Sequence, residues 1–446
     1  MEKIDLTLHW SGILSLVILF TAYVFVVIEE KTHFRKSKPV LMAAFLIWLF
    51  IAIAYLGTPQ AHLVHEAFRH NFLEYTEILV FLLVAMTFIN VLEERQVFEA
   101  LRSRLILTGW SLRKLFWMTG LLAFWISPVA DNMTTSLMMG AVVVAVGVMN
   151  QNFVAISCIN VVVAANAGGA FSPFGDITTL MVWQAGQVKF ETFLHLMPAA
   201  LVTWLVPAFL MSLSLSATSS TVENEPIVRM KTGARRVMLL FAGTIAMAVI
   251  GHNTFHMPPV YGMLGGLAML KIFGYFLKIN STEDSPFDVL HHVQRLEWDT
   301  LLFFGGIILA VGGIGFIGYL ELLSQAGYQA WGPFSTEQAI TFANISVGLL
   351  SAIIDNIPLM FAVLTMDPDI SQWQWLLVTL TAGVGGSLLS IGSAAGVALM
   401  GSSKKMYTFS SHLRYTPVIA LGYFAAIGTH YLYAIWFAPE LFTLAK

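Results

Sequence analysis

Residues 166–176 read Asn-Ala-Gly-Gly-Ala-Phe-Ser-Pro-Phe-Gly-Asp and interrupt an apolar run that otherwise extends from 153 to 183. Two glycines, a proline and a further glycine inside that run predict that a helix unwinds there, because proline removes a backbone donor and glycine favours non-helical backbone. Unwound backbone at membrane depth is tolerated only where protein or a water-filled cavity covers it, and in transporters such breaks mark binding sites. The stretch therefore predicts an all-α membrane fold with a polar site at the break.

Composition agrees. Of the 446 residues, 57% are hydrophobic and 11% charged, whereas soluble domains carry about a quarter charged residues. A hydrocarbon core of roughly 30 Å takes about 20 apolar residues per helix, and segments of that kind recur along the whole length, so the chain is predicted to be polytopic with no room for a soluble domain. The lipid bilayer is its predicted surrounding, and nucleic acid is not a predicted partner. The single cysteine, Cys158, excludes an intrachain disulfide and reads as packing. No cleavable signal peptide is expected, since residues 13–28 are long enough to span and are followed by basic residues.

Lys31, Arg35, Lys36 and Lys38 follow that first span, which by the positive-inside rule puts the N-terminus outside. Spans are then expected at 41–56, 72–92, 193–213, 237–251, 259–277, 300–319 and 418–437, with the C-terminus also outside and residues 57–71 forming an external loop. Residues 116–149 and 339–365 have polar centres and predict re-entrant hairpins of two half-length segments, whereas 153–183 and 373–400 predict broken helices. Basic residues at 95–114, 229–236 and 404–405 fall on the inside throughout.

The two halves echo each other. Glu77 and Asp299 each open a span; Ser127-x-x-x-Asp131-Asn132 corresponds to Ser351-x-x-x-Asp355-Asn356; Gly168-Gly169-x5-Gly175 corresponds to Gly385-Gly386-x5-Gly392. One copy starts outside and the other inside, so the fold class is an all-α polytopic membrane protein of two inverted-topology repeats, each with a re-entrant hairpin and a broken helix. The expected organisation is N-terminal scaffold spans at 1–73, a first repeat at 74–220, a linker and central scaffold spans at 221–295, and a second repeat at 296–446. Asp176 is answered by Ser393, and Thr178 and Thr179 by Ala395 and Gly396, which predicts an asymmetric site.

A carboxylate at the bilayer centre costs at least about 2.5–3.5 kcal/mol on insertion scales and is normally turned to a cavity or a partner. Asp131, Asp176 and Asp355 all fall near the predicted breaks, with no lysine or arginine expected at the same depth. The missing counter-charge is then a bound cation or a proton. Asn132, Asn166, Asn356, Thr178, Thr179, Ser390 and Ser393 would supply further oxygens, a set suited to a hard ion such as Na⁺ or Li⁺. Burial penalises the charged carboxylate, so either species relieves it, and competition at a site exposed alternately to each side gives exchange without an enzyme's chemistry or a cofactor.

Each of these residues also has a structural reading. Asp131, Asp176 and Asp355 could cap half-helix N-termini; the asparagines could bond neighbouring helices; the hydroxyls could bond their own backbone. Glu77 and Asp299, close to the ends of their expected spans, fit interfacial or hydrogen-bonding roles. His62, His65 and His70 read as a solvated loop without the H-E-x-x-H order of a metal site. Gly262-x-x-x-Gly266 and the glycines of 305–318 read as close helix packing.

Ser-Pro-x-Ala-Asp-Asn-x-Thr-Thr at 127–135, Asn-Ala-Gly-Gly-Ala-x-Ser-Pro-x-Gly-Asp-x-Thr-Thr at 166–179 and Asp355-Asn356-Ile357-Pro358 resemble the NhaD-type sodium/proton antiporters of the ion transporter superfamily. The resemblance covers about 74–405. It implies a bacterial inner-membrane exchanger of Na⁺ or Li⁺ for H⁺, a homodimer with a scaffold and a moving transport domain, and elevator-like displacement. By motif it implies Asp131, Asn132, Asn166, Asp176, Thr178, Thr179, Asp355 and Asn356 as functional residues; Ser127, Ser390 and Ser393 are further candidates, and Glu77 and Asp299 join them as a repeat-related pair. Three rival readings are an arsenite or metalloid permease, a sodium-coupled carboxylate carrier, and an intramembrane aspartyl enzyme. Acidic centres disfavour an anionic substrate, and inverted repeats beside glycine-rich breaks suit transport better than proteolysis.

Overall fold

The computed structural model describes residues 3–32, 34–147, 150–215, 227–280, 288–329 and 335–443; parts of the expected linker, 221–226 and 281–287, lie outside them. In chain order they form α1 (Trp10–Val27), α2 (Glu29–Thr32), α3 (Ser37–Ala54), α4 (Ala61–Glu94), α5 (Val97–Leu107), α6 (Leu112–Ala130) and α7 (Asn132–Val146). Then come α8 (Gln151–Gly169), α9 (Ile177–Gln184), a 3-10 turn (Phe190–Leu196) leading into α10 (Met197–Ser212), α11 (Ala234–Phe255), α12 (Pro259–Asn280) and α13 (Val289–Gln294). The rest are α14 (Trp298–Ile317), α15 (Tyr319–Tyr328), α16 (Thr336–Leu350), α17 (Asn356–Met366), α18 (Gln372–Gly385), α19 (Ala394–Ser402), α20 (Phe409–Leu413) and α21 (Thr416–Phe437). Among the described residues nine helices are long and apolar enough to cross a membrane. The protein is an all-helical, multi-pass membrane protein.

The chain divides into two compact units, one of residues 1–91, 237–329 and 361–368, the other of 92–236, 330–360 and 369–446. In the first, α14 lies against α3 through small residues: a Cβ on Gly306 would meet the Val40 and Leu41 backbone at about 3 Å, and the Trp48 indole donates to Leu309 O at 2.8 Å. Gly262 sits on the Ala248 backbone and Gly266 on Thr244, the close approach that the G-x-x-x-G spacing predicts. Asp299, in the first turn of α14, accepts a hydrogen bond from Ser37.

One expectation in this unit is corrected. Residues 61–71, read as loop, belong to α4, a helix of 34 residues. At 1.5 Å per residue it is about 51 Å long, well beyond the hydrocarbon thickness, so its polar first turns continue the helix rather than end it. No proline or glycine between Ala61 and Glu94 stops it, and His70 and Glu74 pair at 3.2 Å one turn apart. Glu77 lies near the middle of α4, half-buried, where the polar first turns give way to the apolar stretch.

In the second unit α8 and α18 are the core. Every residue of α8 from Phe153 to Gly169 is buried, and so is every residue of α18 from Trp373 to Gly385. Polar groups on such helices must find partners inside. Asn160 accepts from the Trp204 indole and donates to Phe116 O, both at 2.8 Å, and Asn344 donates to Gln374 Oε1 at 2.8 Å. Both core helices stop at a glycine pair because nothing larger fits: a Cβ on Gly168 would collide with Phe124 O, and one on Gly385 with Gly348 O.

Candidate functional site

Four helices of the second unit start beside these breaks. Asp131 stands between α6 and α7, its carboxylate accepting from the Thr134 amide and hydroxyl, both at 2.8 Å. Asp355 precedes α17 and accepts from the Ile357 amide at 3.3 Å. Asp176 caps α9 through the Thr178 amide at 2.8 Å, and Ser393 caps α19 through the Gly396 amide at 3.2 Å. Asp176 and Ser393 share one backbone conformation, φ −139°, ψ 136° and φ −138°, ψ 146°. Such caps satisfy amides that a helix start leaves open. Asp131 does so with φ +52°, a region that costs a non-glycine residue of order 1–3 kcal/mol.

The breaks are folded back on themselves. Ser127 donates to Ala165 O at 2.6 Å and Ser172 to Pro128 O at 2.7 Å; Ser351 donates to Ala382 O at 2.8 Å. A Cβ on Gly175 would lie 2.7 Å from Ser127 O, and one on Gly392 2.6 Å from Ser351 O.

Asp176 is the point on which the other groups converge. It is 4% exposed. Besides the Thr178 amide it accepts the Thr178 hydroxyl at 2.8 Å, the Asn356 amide on both oxygens at 3.3 Å, and the Asn132 amide at 3.4 Å. Among the described residues no lysine or arginine forms an ion pair with it. Gly383 leaves the remaining side open: a Cβ there would stand 3.5 Å from Asp176 Oδ2.

Asn166, fully buried, faces Ser387 and Ser393, donating to their hydroxyls at 2.8 and 3.1 Å. Among the described residues its Oδ1 meets no donor, and a buried acceptor without a donor costs about 1–3 kcal/mol. Thr179 donates to Ala170 O at 3.2 Å, bracing the break. Ser390 is buried nearby in the second break.

The three aspartates do not form a three-carboxylate cage. Among the described residues no three acidic, histidine or cysteine side chains gather as ligands for a metal, because Asp131 and Asp355 turn to the helix starts that follow them. Amides, not acids, surround Asp176. Glu77 and Asp299 belong to the other unit. Sequence reasoning missed Ser387 and Gly383. Ser387 answers Ala170 in the repeat pattern, so the first half carries no polar signal for it. Behind Ser387, the buried His412 bridges Ser387 O at 2.8 Å and the Tyr407 hydroxyl at 2.7 Å.

A many-spanning helical fold in which an unneutralised carboxylate is buried among broken-helix ends defines a membrane transport protein. The CitMHS family, described as citrate transporters, matches residues 12–383. The Na(+)/H(+) antiporter NhaD of Alkalimonas amylolytica is 50% identical over 462 residues, spanning 98% of this chain and 93% of that protein. That of Vibrio parahaemolyticus is 55% identical over 412 residues, spanning 87% and 98%. The Sodium/proton antiporter 1 of Arabidopsis thaliana is 31% identical over 400 residues, spanning 87% and 67%. The chain belongs to the CitMHS family of transporters and, within it, to the NhaD group.

Proposed function

We propose that this protein exchanges Na⁺ for H⁺ across the membrane, with cation and proton competing for Asp176. The observation that carries this reading is the buried Asp176 carboxylate, held by amides from two other helix starts and, among the described residues, in no ion pair with a basic side chain. The names of the NhaD relatives support it from outside. Without a cation, the Asn132 and Asn356 N–H groups spread the charge. When Na⁺ enters, rotation of either amide would offer its oxygen instead, and Asn166 Oδ1 is an acceptor already without a donor. Thr178 fixes the carboxylate, while Asp131, Asp355, Ser393 and Thr179 hold the helix ends. A proton replaces the ion by neutralising the same carboxylate.

The finer parts are proposals on the same footing. Li⁺ shares the hard-oxygen preference and should replace Na⁺. The matched bonds Ser127 to Ala165 and Ser351 to Ala382, and the shared cap geometry of Asp176 and Ser393, support inverted repeats over 74–220 and 296–446 with hairpins around Asp131 and Asp355. Scaffold segments at 1–73 and 221–295, elevator-like alternating access, a homodimer, and outward termini in a bacterial inner membrane complete the reading. Citrate fits less well, since a tricarboxylate would meet the Asp176 charge with no cation beside it.

The test is proton movement in proteoliposomes on adding Na⁺, Li⁺, K⁺, citrate or arsenite. Proton release driven by Na⁺ and Li⁺ alone is the expected result. A response to K⁺ alone, or none to Na⁺ from neutral to alkaline pH, sinks the proposal.

A further inference from the structure

Away from that site, in the same unit, a cavity of about 500 Å³ opens beside the start of α11. Arg104, Arg229, Lys231, Arg235 and Arg236 line it, with no acidic residue among the described residues of its walls. Among the described residues none of the five is in an ion pair. Charge bias beside a span would by itself leave such side chains spread in solvent. Here the backbone that carries them is fixed. Val228 N donates to the buried Ser103 hydroxyl at 3.2 Å, Lys231 N to Arg95 O at 2.9 Å, and the guanidinium of Arg95, 1% exposed, to Thr232 O at 3.4 Å. Because a candidate span begins at Ala234, the cavity lies where lipid headgroups meet the protein.

We propose that this pocket binds the phosphate headgroup of an acidic phospholipid. Arginines carried on a held backbone suit phosphate because their planar donor forks pair with two oxygens at once, and basic pockets beside membrane helices hold such headgroups electrostatically. The volume is that of a small-molecule site. Ile227, 70% exposed at the rim, offers apolar surface to the lipid's upper chain.

The full-length protein in detergent is titrated with phosphatidylglycerol, phosphatidylcholine or inorganic phosphate, and the bound species are counted by native mass spectrometry. Phosphatidylglycerol should be retained in preference to phosphatidylcholine. Each lost charge should weaken it about fivefold, or about 1 kcal/mol, so Arg229→Gln with Lys231→Gln and Arg235→Gln should weaken it about a hundredfold. The charge-preserving pair Arg229→Lys and Arg235→Lys should lose far less. If the triple variant does not fold, Arg104→Gln alone should still show the fivefold loss. Equal retention of both lipids, wild-type retention by the neutralised variants, or displacement of phosphatidylglycerol by inorganic phosphate overturns the assignment.

Discussion

Replacing Asn166 by leucine keeps the shape of the side chain and removes its carbonyl. In the ion-free protein the change should be nearly neutral. The unpartnered Oδ1, a burden of about 1–3 kcal/mol, disappears, while Ser387 and Ser393 lose a donor that their hydroxyls can replace by turning. In Na⁺ the two proteins should part. A ligand at about a hundred times its Kd stabilises the folded state by about 2.7 kcal/mol. Loss of one oxygen ligand that weakens binding tenfold to a hundredfold would cut this to between about 1.4 and about 0.4 kcal/mol at the same Na⁺ concentration. Thermal unfolding of the purified protein in NaCl and in choline chloride reads the difference. Equal unfolding temperatures in choline with a shrunken Na⁺ shift are the expected pattern. A full Na⁺ shift in Asn166→Leu would remove Asn166 from the cation's ligands and refute the reasoning from its orphaned oxygen.

Other substitutions separate packing from chemistry. Gly168→Ala and Gly385→Ala drive a methyl into a facing carbonyl and should cost about 1–3 kcal/mol or more by overpacking, seen as lower melting and yield. Gly383→Ala meets only ordinary contacts, so it should fold normally yet crowd Asp176 and raise the Na⁺ concentration for half-maximal exchange. Asp131→Asn retains an acceptor for the Thr134 amide and should keep its stability while exchange falls, whereas Asp131→Ala should also lose about 1 kcal/mol of cap; unchanged exchange in Asp131→Asn would confine that residue to capping. His412→Leu strands Ser387 O and the Tyr407 hydroxyl, which should cost about 2–6 kcal/mol in melting at about 1–3 per orphaned group, and should weaken Na⁺ dependence through Ser387.

Much of this was legible in the chain. Glycine pairs inside apolar runs, joined by Pro173 in the first, announce both helix breaks, because their effect is local and steric, and the breaks at 170–176 and 386–393 are where α8 and α18 stop. Asp176 was legible for a similar reason: a carboxylate beside a break in lipid must have a purpose. What the sequence hid depends on distant neighbours. Nothing local says that Ser387 faces Asn166 across two helices. Gly383 looks like any helix glycine until Asp176 is seen beside it. The 61–71 segment misled for the opposite reason, since polarity marked it as outside lipid, which a helix longer than the membrane also satisfies.

The most direct test is Asp176→Asn in inside-out vesicles, with proton flux followed on adding Na⁺ across neutral to alkaline pH. The account predicts a protein that inserts and folds, since an acceptor for the Thr178 amide remains, but moves no protons in response to Na⁺ at any pH. Wild-type turnover with an unchanged apparent Na⁺ affinity would contradict it.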